Sequence, residues 1–237
     1  MRLGKLYLIP VPLAEEAEKA SFTPLHYDLI NYIDEYIVEN EKTARKFLKQ
    51  AGLKRPQSDL IIHDFGKHAR QQAKKEDYLQ SALQGKDVGL MSEAGCPGVA
   101  DPGAEIVADA HKKGIQVIPL VGPSSILLAL MASGFNGQKF AFQGYLPIDK
   151  ADRTQKVKAL ETQSFKEKQT QIFIETPFRN NQLFEEILRS CKPQTQLCVA
   201  SNLTAKEEFI LTLPIAKWKE KKVDLHKQPT IFLLFAS

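Results

Sequence analysis

Short apolar runs alternate with helical patterns along this sequence, and that rhythm constrains the fold more than any other feature. In the first half the predicted strands are Lys5–Ile9, Tyr36–Glu39, Asp59–His63, Asp87–Ser92 and Gln116–Leu120. The predicted helices between them are Leu25–Asp34, Glu41–Ala51, Lys67–Leu83 and Gly103–Lys113. Because these strands are apolar throughout rather than alternating, they indicate a mainly parallel sheet covered by helices on both faces.

The second half has a different order of elements. A helix over Pro123–Ala132 precedes predicted strands at Lys139–Gln143, Gln171–Ile174, Gln196–Ala200, Glu208–Leu213 and Thr230–Phe235. Further helices are predicted at Arg153–Thr162, Asn180–Ser190 and Ile215–Lys221. The last strands have short connections, which favours antiparallel pairing and a mixed sheet. We therefore expect an α/β protein of two α/β domains, 1–120 and 121–237, with a boundary near Leu120–Pro123.

Composition narrows the class of protein. No run approaches the roughly 18 apolar residues that a membrane helix needs, and the first apolar run stops at Pro10, too early for a signal peptide. A cytoplasmic location is expected. The three cysteines (Cys96, Cys191 and Cys198) are far apart and the histidines lack ligand spacing, so we expect no disulfide framework and no metal site.

Charge is unevenly distributed. Residues 1–121 hold 16 Lys and Arg against 17 Asp and Glu, whereas residues 122–237 hold 16 against 11. A basic second half suits an anionic partner such as nucleic acid, but a solvated lysine-rich surface has the same composition and on charge alone is favoured. The same two interpretations apply to the predicted helix at Glu41–Ala51, where four basic residues lie on one face: Lys42, Arg45, Lys46 and Lys49.

Ligands of open parallel sheets bind where loops follow the carboxyl ends of strands. The loop Ser92–Gly103 contains three glycines and two prolines, and it holds Glu93 and Asp101. Gly122–Ser125 has the composition of a helix start with free N–H groups. Together these loops suit a small polar molecule with an amino-acid end and a ribose; two well-capped strand–helix loops explain them equally well. The dinucleotide, P-loop and hydrolase-elbow motifs are absent.

The loop Leu90–Gly103 resembles that of the tetrapyrrole methylase superfamily, the class III S-adenosylmethionine-dependent methyltransferases. Within it, the chain is most similar to the branch that methylates a cytidine ribose 2′-oxygen of small-subunit ribosomal RNA, which writes this loop with Ser-Asp-Ala-Gly-Thr-Pro and Ser-Asp-Pro-Gly. The similarity continues, in the family's order, through Val121–Ser125, Ala132–Phe135, Phe142–Pro147 and Phe173–Arg179. Such collinearity over nearly the whole chain is more specific than any single motif.

The resemblance implies a methyltransferase with S-adenosylmethionine held in a cleft between two α/β domains, usually as a homodimer. By match to the family's donor-binding loops, it carries the cofactor-binding role to six residues: Leu13, Glu93, Pro97, Ser124, Ser125 and Glu175. A sulfonium donor requires position rather than electrons from the protein. A carboxylate can hold the donor's ammonium or ribose hydroxyls, and loop N–H groups can hold its carboxylate.

The sequence departs from the family on the acceptor side. Where the RNA branch has Glu-Asp-Thr-Arg, this chain has Glu39-Asn40-Glu41-Lys42, and a later Arg-Glu-Leu-Thr is here Ser201–Thr204. Asn cannot take a proton at neutral pH, so Glu39 is the candidate catalytic carboxylate, with a helix cap as its competing role. Lys42 and Arg45 are the candidate RNA contacts. Two alternatives remain open: a methyltransferase acting on a tetrapyrrole or other small metabolite, and a non-catalytic S-adenosylmethionine-binding protein.

Overall fold

A computed structural model describes residues 2–66 and 78–237. The chain divides into two compact units, Met1–Ser124 and Ser125–Ser237. The helix predicted over Lys67–Leu83 lies mostly outside the described residues, and its last four residues, Gln80–Leu83, are helical.

The first unit contains one parallel sheet. Its strands are β1 (Lys5–Ile9), β2 (Glu35–Val38), β3 (Ile61–Asp64), β4 (Val88–Met91) and β5 (Gln116–Pro119). Its described helices are α1 (Glu18–Ser21), α2 (Pro24–Tyr32), α3 (Glu41–Gln50), α4 (Gln80–Leu83) and α5 (Ala104–Lys112), with a 3₁₀ turn at Gln57–Asp59. The strand order is β3-β2-β4-β1-β5 and every pairing is parallel, which confirms the predicted parallel sheet.

Both faces of this sheet are buried. On one face, helices α2 and α3 pack Ile30 and Leu48 against Ile9 and Met91. On the other face, α4 and α5 pack against the alternate strand residues, Leu6, Ile37 and Leu90 among them. The two central strands β2 and β4 are buried at every residue. Burial on both faces is the physical reason that the strands are apolar throughout.

The second unit contains a mixed sheet. Its strands are β6 (Phe140–Tyr145), β7 (Thr170–Ile174), β8 (Gln196–Ser201), β9 (Phe209–Pro214) and β10 (Thr230–Phe235). Its helices are α6 (Ser125–Ser133), α7 (Lys150–Glu167), α8 (Asn180–Ser190) and α9 (Ile215–Trp218). The order is β6-β7-β10-β8-β9, with β6 and β7 parallel and the other pairs antiparallel. This confirms the predicted mixed sheet.

One face of the second sheet carries a large core in which α7, α8 and α9 cover β7, β8 and β10. Trp218 is fully buried there; its ring meets Phe184 edge-on at 5.4 Å and its indole N–H donates to the Leu197 carbonyl at 2.8 Å. Helix α6 packs on the opposite face against β9 and β10, where the Thr212 hydroxyl donates to the Ser133 carbonyl at 2.9 Å.

The topology brings particular loops to one edge of each sheet. In the first unit, Ile9 and Val38 both lie in register with Met91, so the loops after β1, β2 and β4 start at the same edge. In the second unit β10 runs against β7 and β8. The end of β7, the end of β8 and the start of β10 therefore share an edge, with Ile174 opposite Ile231 and Ser201 opposite Thr230.

Candidate functional site

Three loops that follow the parallel strands are fastened together; we call residues 10–14, 92–103 and 120–124 the loop cluster. Val11 and Gly95 exchange both backbone hydrogen bonds, at 2.9 and 2.8 Å. The Cys96 thiol donates to the Pro123 carbonyl with an S···O distance of 3.3 Å. A Cβ atom on Gly122 would lie 2.2 Å from Cβ of Pro10, so the first and third loops touch directly. Each loop is fixed by the other two.

Gly95 is the centre of the loop cluster. Its φ of +78° is a left-handed conformation that favours glycine, and a Cβ there would lie 3.3 Å from Cδ2 of Leu13 and 3.5 Å from the Pro123 carbonyl oxygen. Its own carbonyl accepts from the Ser92 hydroxyl at 3.2 Å. The cluster thus contains four of the six predicted donor-binding residues: Leu13, Glu93, Pro97 and Ser124. Among these, Pro97 is buried and Glu93 is exposed.

Carboxylates gather at the ends of β2 and β4. Oε1 of Glu39 accepts from the backbone N–H of Glu93 at 3.3 Å, and Oε1 of Glu93 accepts from the Thr43 hydroxyl at 3.3 Å. Asp101 is half-buried; burial raises the pKa of its carboxyl, and the nearby charge of Glu93 raises it further. This edge of the first unit is acidic, an environment that favours cationic groups.

Asn40, which departs from the family motif, has a local structural role. Its side-chain oxygen accepts from the backbone N–H groups of Lys42 at 3.0 Å and Thr43 at 3.2 Å, which makes it the N-cap of α3. The cap is therefore Asn40, and the carboxylate of Glu39 points instead to the loop after β4. Sequence reasoning had offered capping as the competing role for Glu39.

The basic face of α3 is partly engaged in contacts within the first unit. Nε of Arg45 donates to Oε1 of Glu41 at 2.8 Å, and its Nη1 donates to the Gln57 carbonyl at 2.6 Å. Lys46 pairs with Glu15 at 2.7 Å. Lys42 and Lys49 are exposed. Arg45 thus attaches α3 to the 3₁₀ turn, a role that its helix position alone did not indicate.

The remaining two predicted donor residues belong to the second unit. Ser125 begins α6, and Glu175 follows β7. The Glu175 carboxylate is buried, and its Oε1 accepts from Nη2 of Arg179 at 2.6 Å and from the backbone N–H of Thr176 at 2.6 Å. A buried carboxylate requires such partners, because a charge taken out of water without them is strongly unfavourable.

Three residues that hold these sites were not singled out from the sequence. Thr43 contacts Glu93, Cys96 fastens two loops, and Arg179 pairs with Glu175. Only Arg179 left a signal, because it stands four residues after Glu175 at the start of a predicted helix. Burial raises the pKa of the Cys96 thiol, so this group is an uncharged hydrogen-bond donor rather than a nucleophile.

Two absences hold for residues 2–66 and 78–237. No helix in these stretches combines the length and the apolar character needed to cross a membrane. Within the same stretches, no three His, Cys, Asp or Glu side chains are grouped so that they could hold a metal ion.

Comparison with known proteins places the chain in a family. The small-subunit ribosomal RNA methyltransferase I of Vibrio cholerae is 30% identical over 90% of this chain and 69% of its own length. The protein of the same name from Bacillus subtilis is 32% identical over 88% of this chain and 67% of its own length. The solved structure of the methyltransferase CobJ has the same fold, with a TM-score of 0.61 and 17% identity over 99% of this chain and 95% of CobJ. The model of the tetrapyrrole (corrin/porphyrin) methylases matches residues 12–218, and this chain belongs to that family of S-adenosylmethionine-dependent methyltransferases.

Proposed function

We propose that this protein transfers the methyl group of S-adenosylmethionine to small-subunit ribosomal RNA, with a ribose 2′-oxygen as the acceptor. The relatives that match nearly the whole chain carry the name of that activity, and this observation supports the proposal most strongly. The basic second half is compatible with a polyanionic substrate. An enzyme of this substrate class acts in the cytoplasm, and we propose that location.

The test is methyl transfer to RNA. Total RNA from a strain that lacks the protein is incubated with purified protein and donor labelled in the methyl group, and the label is then mapped by nuclease digestion and mass spectrometry. We expect one labelled 2′-O-methylnucleotide in small-subunit RNA. RNA from a strain that has the protein is the control, since its site is already methylated. Label in a small-molecule fraction and none in RNA would replace the RNA substrate with a metabolite.

The loop cluster is the proposed donor site in the first unit. Glu93 presents an exposed carboxylate for the donor's ammonium or ribose hydroxyls, and Leu13 and Pro97 supply apolar surface for its adenine. Ser124 offers a hydroxyl and a backbone N–H. From the second unit, Ser125 and Glu175 complete the proposed set. The bound donor supplies an electrophilic methyl group on its sulfonium, and these residues only orient it.

Donor binding can be measured apart from catalysis. We expect calorimetric binding of S-adenosylmethionine and of its demethylated product by the purified protein alone, because the loop cluster is prefastened. Substitution of Ser124 and Ser125 by Leu is expected to abolish binding, while the circular dichroism spectrum and the melting temperature stay near those of the wild type. No heat and no thermal shift at millimolar donor would contradict the assignment.

Glu39 is the proposed general base for the acceptor hydroxyl. It lies at the carboxyl end of β2 and already contacts the loop after β4 through the Glu93 N–H. Glu39→Gln keeps a side-chain oxygen for that N–H but removes the proton acceptor, so we expect turnover to fall on the order of 100-fold with both affinities nearly unchanged. Single-turnover transfer together with donor and RNA titrations would measure this. Unchanged turnover would reassign Glu39 to positioning the loop.

A further inference from the structure

An exposed aromatic ring follows β7 in the second unit. Phe178 is 66% exposed, which is unusual for a large apolar side chain. The His226 ring meets it edge-on at 5.8 Å between centroids, and Nζ of Lys227 lies 5.8 Å from its centroid. Phe178 therefore lies on the surface beside two side chains that are cationic or can become so.

The loop that carries Phe178 is rigid. The Pro177 carbonyl accepts from the backbone N–H of Lys227 at 3.0 Å, which ties the end of β7 to the segment before β10. Arg179 anchors the other side of the ring through its contacts with Glu175 and with the Thr176 hydroxyl, the latter at 3.2 Å. The ring is thus held outward by its own loop, and it keeps that position without a partner.

The segment beside this ring is basic. Residues 217–227 carry five lysines, namely Lys217, Lys219, Lys221, Lys222 and Lys227, against Glu220 and Asp224. The acidic pair is already used within the unit. Lys217 lies 3.2 Å from Glu220, and the Asp224 carboxylate accepts from Asn181 at 2.8 Å, which lowers its pKa. Lys221, Lys222 and Lys227 are exposed.

We propose that Phe178 is a stacking platform for an unpaired base of the RNA substrate, with the lysines of residues 217–227 holding the adjoining phosphates. A π-face next to several cations is the surface that single-stranded nucleic acid recognises. An acidic protein would use the lysines but would gain little from an isolated ring. The proposal rests on the proposed RNA substrate. It names the part of the second unit that binds bases outside the methyl-transfer site.

The chain offers a matched control for this platform. Phe165, near the end of α7, is 53% exposed and has Lys168 at 4.7 Å and Lys192 at 5.9 Å from its ring centroid. It has the same composition as the Phe178 surface. It precedes β7, however, whereas Phe178 follows β7 three residues after the proposed donor residue Glu175. RNA that reaches the donor is therefore expected at Phe178 and not at Phe165.

The experiment measures RNA binding and transfer with the full chain. Fluorescence anisotropy with labelled oligoadenylate and oligouridylate gives affinities, because adenine stacks better than uracil. We expect wild type to prefer oligoadenylate. Phe178→Ala is expected to lower its affinity about tenfold and to remove the preference, whereas Phe178→Trp retains both and Phe165→Ala changes neither. Donor affinity is expected to stay at the wild-type value in all variants.

Salt separates the ring from the lysines. Lys221→Gln with Lys222→Gln is expected to reduce the slope of log affinity against log salt by about two, while Phe178→Ala leaves the slope unchanged. If Phe178→Ala binds both oligonucleotides as wild type does, or if Phe165→Ala is equally impaired, the platform is wrong. If wild-type protein methylates no RNA at all, the proposed function fails instead, and the two failures are distinguishable.

Discussion

At the scale of single residues, departures from a family motif have structural explanations in this chain. Asn40 caps α3. Ser201 and Asn202 stand where the family has Arg and Glu, and both donate from their side chains to Oε1 of Gln228, at 3.0 and 3.1 Å. Gln228 thus joins the end of β8 to the start of β10. From the sequence alone these three positions marked only lost polarity. Their roles depend on partners distant in sequence, which no local pattern reveals.

His26 provides a residue-scale prediction about acid stability. It is buried in α2, stacks on Phe22 at 4.7 Å, and its Nδ1 accepts from the Thr23 backbone N–H at 3.1 Å. Burial lowers its pKa below the ordinary 6.5. The unfolded chain therefore takes up a proton below pH 6.5 more readily than the folded chain, so His26 makes the free energy of unfolding fall as pH drops below 6.5.

His26→Gln is the variant that isolates this effect. His26 is the N3 residue of a capping box with Thr23, and Gln is a preferred residue at N3, so the box is retained without the titrating group. Urea unfolding between pH 7.5 and about pH 5 is expected to give a shallower decline for the variant. His63→Gln, which alters the ion pair with Glu35, is the comparison. Parallel pH curves for His26→Gln and wild type would assign the acid sensitivity elsewhere.

Gly122→Ala tests whether the loop cluster depends on close backbone approach. The added Cβ would lie 2.2 Å from Cβ and 2.3 Å from Cγ of Pro10, and neither loop can give way easily because Pro10 is rigid. We expect a loss of about 1–3 kcal/mol in the free energy of unfolding and weaker donor binding by calorimetry. Gly137→Ala, whose added Cβ has no atom within 4 Å, is expected to change neither. Wild-type donor affinity in Gly122→Ala would show that the loops can separate without consequence.

At the scale of elements, sequence patterns located strands and helices well where packing and capping agree. The limits of β1, α8 and β10 coincide with the prediction, because each is an apolar run or stripe with clear ends. Helix α7 was predicted from Arg153 to Thr162 but runs from Lys150 to Glu167. Asp149 caps it, accepting from the N–H groups of Ala151 and Asp152 at 2.8 and 3.1 Å. The cap residue was present in the sequence, but its polar first turn was taken for loop.

Helix α3 carries the element-scale prediction. Lys42 is exposed, whereas Arg45 is bound to Glu41 and to the Gln57 carbonyl. Removing both cations by Lys42→Gln with Arg45→Gln is expected to weaken RNA binding and lower its salt slope, with donor affinity unchanged. Of the single variants, only Arg45→Gln is expected to lower the melting temperature. RNA titrations at several salt concentrations and thermal unfolding check both parts. Wild-type RNA binding in the double variant would remove α3 from the RNA surface.

At the scale of the whole molecule, the two units differ in the character of their sheet edges. The first presents carboxylates at the ends of β2 and β4, and the second presents lysines and an exposed ring near the end of β7. The sequence indicated the parallel and mixed sheets, the donor loops and the charge difference. It did not indicate Phe178 or the ties around Gly95, since both depend on which loops the topology brings together.

Helix α6 motivates a prediction about assembly, since the family resemblance implies a homodimer. The helix is apolar around its whole circumference, and one side packs on the second sheet through Ile126 and Leu130. The other side leaves Leu127 51% and Met131 79% exposed, and these residues are neighbours at i and i+4. Exposed apolar surface of this kind marks an interface when a second copy covers it.

We therefore expect light scattering to give the mass of a dimer at micromolar concentration. Leu127→Glu with Met131→Glu would bring four carboxylates into a two-fold interface, two from each copy, and leave them without partners, so the double variant is expected to be a folded monomer. Its circular dichroism spectrum should match that of wild type, because both side chains are exposed within one chain. Leu25→Glu, on an exposed position of α2, is the control and is expected to stay dimeric. A wild-type protein of monomer mass at micromolar concentration would contradict the dimer, and a dimeric double variant would move the interface away from α6.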